Sequence, residues 1–329
     1  MRVYNREEAI FRINSLSKAG RACIFIINYD QTMSYVEELS DINDNECKFY
    51  FNGNTNMVKT CCGDKHKEEP EWNIFPESTT DYKRSFDIVQ SNIKEGNSYL
   101  ANLTCRIPIK TNIGLETIFN RSEAPYKLWI KDKLVCFSPE TFVKINNRKI
   151  SSFPMKGTID ATIVNAAEVL MKNEKEAAEH ATIVDLIRND ISIVATDVKV
   201  DRYRYIENIN TNKGAILQTS SEISGILPDH YTDNVGDIIF SMLPAGSITG
   251  APKKKTVDII SEAENYNRGF YTGIMGIYQN GCIDSAVMIR FIDQENGQMY
   301  FKAGGGITAK SKWIDEYNEI IQKVYVPIF

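Results

Sequence analysis

The chain has 329 residues, 43% of them hydrophobic and 25% charged, with a net charge of −5. That is enough chain for a large buried core, and the acidic balance excludes a general electrostatic pull toward nucleic acid or anionic lipid. Seven cysteines, an odd number, and three widely spaced histidines argue against a disulfide framework and a zinc site, and for a reducing compartment.

The first eight residues, Met1 to Glu8, are charged and lack an apolar h-region, and no later segment reaches the ~18 apolar residues of a membrane span. A cytoplasmic protein is therefore expected. Residues 21–29 read as a buried strand and 61–73 as an exposed loop. A helix is predicted from Thr80 to Gly96: Thr79 or Thr80 can cap it, Phe86, Val89 and Ile93 recur at helical spacing, and Gly96 stops it. Strand-like runs follow at 99–108, 125–137 and 141–153. The last of these leads into Ser151-Ser-Phe-Pro-Met-Lys-Gly-Thr158, which sets Lys156 between Pro154 and Gly157. An unperturbed lysine amine is free in only about 0.04% of molecules at neutral pH, so nucleophilic chemistry there requires burial or a neighbouring cation. The alternative is a strand-end ammonium that reaches out to water.

A helix is predicted over about Val164 to Arg188, and it carries a contradiction. Glu176 falls within about 20° of Ile183 around the helix axis, and Glu179 within about 20° of Leu186, so two carboxylates border the apolar stripe. Further on, Gly246-Ser-Ile-Thr-Gly-Ala-Pro-Lys253 fails the phosphate-loop pattern, because three residues separate its glycines where four are needed. Pro252 reads instead as the first residue of a helix to Glu264, with Lys253 to Lys255 either a solvated first turn or a basic rim.

Two Asn-Gly pairs, at 280–281 and 296–297, separate the apolar runs 271–278, 282–292 and 299–303, and predict a three-stranded meander. Arg290 alternates with Ile289 and Phe291 on its central strand, where a guanidinium can grip a carboxylate or simply face solvent. Gly304-Gly305-Gly306 follows the third strand; consecutive glycines let backbone amides approach an anion, or mark a bend. The final helix, about Lys312 to Tyr325, puts Glu316 between Trp313 and Ile320 on the apolar face, with Glu319 one turn on. Two such helices facing each other make an oxygen-rich site suited to Mg²⁺; the same periodicity also fits glutamates at a solvent boundary. No repeat or linker divides the chain, so one packed α/β unit over 1–329 is expected.

Taken together, these segments resemble the chorismate-utilising enzymes, and among them component I of aminodeoxychorismate synthase. The resemblance runs from about Tyr82 to Val324. It is carried in order by Gly96-Asn-Ser-Tyr-Leu-Ala-Asn-Leu-Thr104, Ala124-Pro-Tyr126, Ser138-Pro-Glu140, Pro154-Met-Lys-Gly-Thr158, Glu179-His-Ala-Thr-Ile-Val-Asp-Leu-Ile-Arg-Asn-Asp190, Pro244-Ala-Gly-Ser-Ile-Thr-Gly-Ala-Pro-Lys253, Arg268-Gly-Phe-Tyr-Thr-Gly273, Ala303-Gly-Gly-Gly-Ile307 and Glu316-Tyr-Asn-Glu319.

The resemblance implies two β-sheets packed as a sandwich with helices outside, in a single large domain: a shortened, variable amino-terminal part to residue 80 and a chorismate-binding core over 81–329. It implies Lys156 as nucleophile and Glu140 as general acid. Mg²⁺ would be held by Glu179 and Glu319 with help from Glu176 and Glu316. Substrate contacts would come from Gly157, Thr158, Tyr271, Arg290, Gly304, Gly305, Gly306 and Lys310. The implied reaction adds ammonia to chorismate, giving 4-amino-4-deoxychorismate for the para-aminobenzoate branch of folate synthesis. Nothing in the chain reads as a glutaminase, so a glutamine amidotransferase subunit or free ammonium is the expected nitrogen source. Anthranilate synthases generally carry alanine at the position of Lys156 and Gly-Ala-Gly at 304–306; isochorismate synthases carry a water-activating lysine at the position of Leu100. Both kinds of synthase remain rivals, as does a catalytically silent partner of an amidotransferase. Leu100 and Gln218 depart from the glutamine and histidine common in aminating relatives.

Overall fold

The computed structural model describes residues 1–57, 69–211 and 214–326. The chain opens with β1 (Val3–Tyr4), α1 (Arg6–Lys18), β2 (Cys23–Ile27), β3 (Ser34–Glu38), β4 (Cys47–Phe51), β5 (Asn54–Thr55), β6 (Trp72–Ile74) and α2 (Thr79–Lys94). It continues with β7 (Leu100–Thr111), α3 (Leu115–Arg121), β8 (Tyr126–Ile130), β9 (Leu134–Ser138), β10 (Thr141–Asn146), β11 (Lys149–Ser152) and β12 (Met155–Asp160). Then come α4 (Ala166–Lys172), α5 (Glu174–Ser192), β13 (Thr196–Thr211), β14 (Gly214–Ile226), α6 (Val235–Ser241), β15 (Gly250–Ala251) and α7 (Lys253–Ala263). Two hairpins, β16 (Ile274–Gln279) with β17 (Cys282–Val287) and β18 (Phe291–Glu295) with β19 (Gln298–Ile307), precede α8 (Trp313–Lys323).

The strands form two antiparallel sheets. The first runs β1-β3-β2-β16-β17-β10-β11-β14-β12, with β13 also on β14; the second runs β15-β7-β19-β18-β9-β8-β4-β5, with β6 on β7. Strand periodicity explains how they stack. In β2 every residue is buried, because Ile24 and Ile26 face the second sheet while Cys23, Phe25 and Ile27 face α1. The inter-sheet core joins those isoleucines and Met275 and Ile277 to Phe49, Phe51, Leu128 and Cys136 of the second sheet. On the outer faces, α1, α5 and α6 cover the first sheet, and α2, α3, α7 and α8 cover the second. The result is the expected sandwich of two sheets between helix layers.

Several boundaries differ from the sequence reading. Ser78, not Thr79 or Thr80, caps α2, its hydroxyl accepting from the Asp81 amide. The helix predicted over 164–188 is broken at Asn173, whose side chain accepts from the Glu176 amide and starts α5 afresh. The predicted meander is two hairpins in different sheets, since β16 and β17 lie in the first and β18 and β19 in the second. Between them Arg290 has φ 52° and turns the chain from one sheet to the other, so it is not a mid-strand residue alternating with its neighbours. Gly304 to Gly306 lie within β19, paired with Thr104, Leu103 and Asn102, and not in a loop after it. The predicted loop 61–73 falls partly outside the described residues, as do Cys61 and Cys62; Cys23, Cys47, Cys105, Cys136 and Cys282 are free thiols. No helix among the described residues is long and apolar enough to cross a membrane.

Candidate active site

Two passages of chain between the sheets build one side of the site. β9 ends in the second sheet and β10 begins in the first, and Glu140 lies in the step between them. The return passage, between β17 and β18, carries Arg290, and the Phe137 amide donates to the Arg290 carbonyl (3.1 Å), so the two passages run side by side. The Glu140 carboxyl is raised above the usual carboxylate range by burial. A hydrogen bond from Ser247 and the charges of Lys156 and Arg290 oppose that rise. A carboxyl whose proton affinity is raised thus shares one neighbourhood with a lysine and an arginine.

Lys156 enters from β12. The pairing of β12 with β14 slips between Lys156 and Thr158, at Gly157 with φ 73°. A Cβ at Gly157 would lie 3.2 Å from Glu176 Oε2 and 3.1 Å from Leu170 Cδ1, so the bulge lets α4 and α5 close against the strand. The backbone of this strand end is pinned: Thr219 Oγ1 donates to the Lys156 carbonyl and the Ser221 amide donates to Pro154 O (3.1 Å). The half-buried Lys156 amine reaches the opposite sheet, where a Cβ at Gly306 would lie 3.8 Å from its Nζ and 3.1 Å from Leu100 Cδ1. Leucine at position 100 thus lays an apolar wall beside the amine.

The three glycines serve different ends. A Cβ at Gly304 would collide with Thr104 and the Leu103 carbonyl, one at Gly305 would meet Glu316 Oε2 at 3.3 Å, and Gly306 makes room for Lys156 and Leu100. β18 starts at Phe291, opposite Lys302, so beyond that point β19 has a strand on one side only. Every second backbone group there turns away from β7, and the Gly304 carbonyl accepts from Lys323 Nζ (2.9 Å).

The four glutamates come from the two predicted helices. Glu176 and Glu179 are half-buried on α5; Glu316 is buried on α8, and Glu319 is exposed in a 2.7 Å ion pair with Lys323. Glu176 lies against Gly157 and Glu316 against Gly305, so the carboxylates border the two strands that bring Lys156 and Gly306 together. Among the described residues no three acidic, histidine or cysteine side chains converge as a finished metal cage. Yet the donors are carboxylate oxygens, the type Mg²⁺ prefers, although Glu319 is already paired with Lys323. The residues fit the ion in chemistry.

The remaining predicted residues are less central. Tyr271 is buried in the inter-sheet core beside Phe291, its phenol held neutral by burial, and Arg290 acts on it electrostatically. Arg290 also lies over the Tyr325 ring, 5.3 Å from its centroid. Thr158 is exposed just beyond the bulge, paired with Gln218, and Lys310 is exposed on the turn before α8. Lys253 is neither a solvated first turn nor a basic rim: its Nζ pairs with buried Asp190 (2.6 Å) and donates to Met242 O (2.9 Å). Sequence reasoning passed over Ser247, 2.6 Å from Glu140 Oε1, and His180, whose Nε2 meets Ser221 Oγ at 2.6 Å. Burial holds His180 neutral, down to about 4, with Arg204 and Lys156 adding to the effect. Both residues lie inside family-like segments, but only three-dimensional contact reveals their partners.

A family model described as chorismate binding enzyme matches residues 17–328. The chain belongs to that family. An uncharacterised PabA-like protein of Pasteurella multocida is 47% identical over 319 residues, covering 97% of this chain and 98% of its own. Aminodeoxychorismate synthase component 1 of Escherichia coli is 33% identical over 260 residues, 74% of this chain but 56% of that protein. The fold of this chorismate-binding enzyme also matches the crystal structure of MenF, the menaquinone-specific isochorismate synthase of E. coli. The TM-score is 0.75 at 14% identity, over 98% of this chain and 82% of that one.

Proposed function

We propose that this chorismate-binding enzyme is component I of an aminodeoxychorismate synthase, joining ammonia to chorismate through a covalent bond to Lys156. The observation that carries the reading is the juxtaposition of Lys156, reaching Gly306 across the sheets, with Arg290 and a Glu140 whose proton affinity burial raises. Glu140 donates its proton to the departing C4 hydroxyl, which leaves as water. The amine of Lys156, having given up a proton to solvent, forms a bond at C2 as the ring double bonds shift and the C4–O bond breaks. Ammonia then bonds at C4 and the electron pairs shift back, expelling the lysine amine, and the new ammonium group gives up a proton that restores Glu140. The sum is chorismate plus ammonia to 4-amino-4-deoxychorismate plus water.

Arg290 and the outward amides of β19 bind the enolpyruvyl carboxylate, with Tyr271 supporting Arg290 from below and Gly157, Thr158 and Lys310 at the substrate's margin. Bound Mg²⁺, held by Glu176, Glu179, Glu316 and Glu319, would supply the positive charge that anchors the ring carboxylate. A glutamine amidotransferase subunit supplies the ammonia, and free ammonium replaces it at high concentration. Leu100 speaks against the isochorismate alternative, because an apolar side chain beside the amine cannot activate water. Lys156 and Gly305 speak against the anthranilate alternative.

The test is Lys156→Ala with chorismate, Mg²⁺ and ammonium, the product identified by chromatography. Wild type should yield aminodeoxychorismate and the variant should lose about 10³-fold or more in rate. Full retention of amination in the variant excludes the covalent route. Isochorismate or anthranilate as the wild-type product excludes the assignment, and no turnover with intact amidotransferase binding supports a silent partner.

A further inference from the structure

We propose that Ser247 is a positioning residue for Glu140, fixing one oxygen of the carboxyl group so that the other is presented to the substrate. The inference rests on the amination reading above and adds to it a residue outside the predicted site.

Ser247 Oγ lies 2.6 Å from Glu140 Oε1. The backbone of Glu140 is already fixed on both sides: its amide donates to Ser138 Oγ (3.1 Å) and its carbonyl accepts from the Val287 amide (3.1 Å). What remains free is rotation of the side chain, and the serine removes it. The serine is itself held rigidly. It sits in the single turn Gly246–Ile248, and a Cβ at Gly246 would fall 2.7 Å from Leu186 Cγ and 2.9 Å from Asp190 Oδ2. Asp190 also accepts from the Gly246 amide and pairs with Lys253. The hydroxyl is therefore presented from a turn braced by α5 on one side and the start of α7 on the other.

The charged groups facing Glu140 are Lys156 from β12 and Arg290 from the passage between β17 and β18. Asp190 of α5 lines the same small cavity, and its charge is balanced by Lys253. The serine donor acts in the same sense as the two cations, favouring the ionised carboxylate. Without it the burial of Glu140 is less opposed, and the group holds its proton to higher pH. A residue that merely fills space would leave the titration of Glu140 where it is.

The experiment compares wild type, Ser247→Ala and Ser247→Thr by two readouts. One is a carbon-13 NMR titration of the Glu140 carboxyl, assigned with Glu140→Gln and independent of turnover. The other is the pH profile of kcat and KM with chorismate and ammonium. In Ser247→Ala the Glu140 titration and the alkaline limb of the profile should rise by about one pH unit. In the same variant kcat should fall roughly tenfold with KM little changed, because orientation and not binding is lost. Ser247→Thr should restore both. An unmoved titration in Ser247→Ala, with wild type still aminating chorismate, overturns this inference and leaves the functional reading intact. If wild type does not turn over chorismate, the functional reading fails while the titration still decides whether Ser247 governs Glu140.

Discussion

Three adjacent glycines with three different neighbours make a sharp test of how the site is built, because alanine should fail differently at each. At Gly304 the new Cβ would lie 2.6 Å from Thr104 Cγ2 and 2.7 Å from the Leu103 carbonyl, and a carbonyl inside a sheet cannot move aside. Overpacking of that kind costs about 2–3 kcal/mol, offset by the roughly 0.4–1 kcal/mol that alanine gains over glycine through the unfolded chain. A net loss of about 1–2.6 kcal/mol corresponds, for a chain of this length, to a fall in Tm of roughly 1.5–4 °C. At Gly306 the neighbours are the tip of Leu100 at 3.1 Å and Lys156 Nζ at 3.8 Å, both ends of flexible side chains. They can yield, so stability should change by less than about 1 kcal/mol, but the amine is pushed from its place and kcat should fall roughly 10–100-fold. Differential scanning calorimetry read beside the chorismate–ammonium assay separates the two outcomes. Equal melting losses at the two positions, or a fully active Gly306→Ala, would refute the argument from side-chain space.

Gly305→Ala brings a Cβ to 3.3 Å from Glu316 Oε2, so it should raise the Mg²⁺ concentration needed for half-maximal activity several-fold while leaving Tm nearly unchanged, as a metal titration would read. EDTA should abolish turnover and Mg²⁺ restore it; metal-independent amination would remove the role given to the four glutamates. Glu140→Gln should abolish amination yet raise Tm at pH 7. Burial raises the folded-state affinity of Glu140 for its proton, so the stability it contributes is lost as pH rises from the unfolded carboxyl range toward the folded one, and the stability gap between variant and wild type should close as pH falls below the unfolded carboxyl range. Lys253→Met leaves Asp190 buried without its partner and should cost about 3 kcal/mol in denaturant unfolding; a loss under 1 kcal/mol would mean the pair is only peripheral.

The parts of this molecule legible in the sequence are those governed by local periodicity. The strand at 23–27, the helices at 79–94 and 313–323 and both Asn-Gly hairpins follow from apolar spacing and turn chemistry. The capping box of α1, Asn5 with Glu8, is a local signal of the same kind. Sheet membership was not legible. Nothing in the run 282–292 announces that Arg290 takes a left-handed conformation and hands the chain to another sheet, because Ala286 to Ile289 before it and Phe291 and Ile292 after it are all apolar. The β13–β14 hairpin is illegible for a related reason. Thr196 to Thr211 is rich in charge and interrupted by bulges, and it becomes a strand through pairing with β14 and not through its own pattern. The candidate site residues rest on motif resemblance; the contacts around them, Ser247 on Glu140 and Asp190 on Lys253, join positions 107 and 63 residues apart.

The side-by-side passages that carry Glu140 and Arg290 have a consequence for how the enzyme tolerates change. The spacing of acid and guanidinium is set along a common seam by main-chain hydrogen bonds, from the Phe137 amide to the Arg290 carbonyl and from the Val287 amide to the Glu140 carbonyl. Substitutions deep between the sheets can therefore soften the molecule as a whole before they part this pair, whereas a single inserted residue in either passage would unpick it at once.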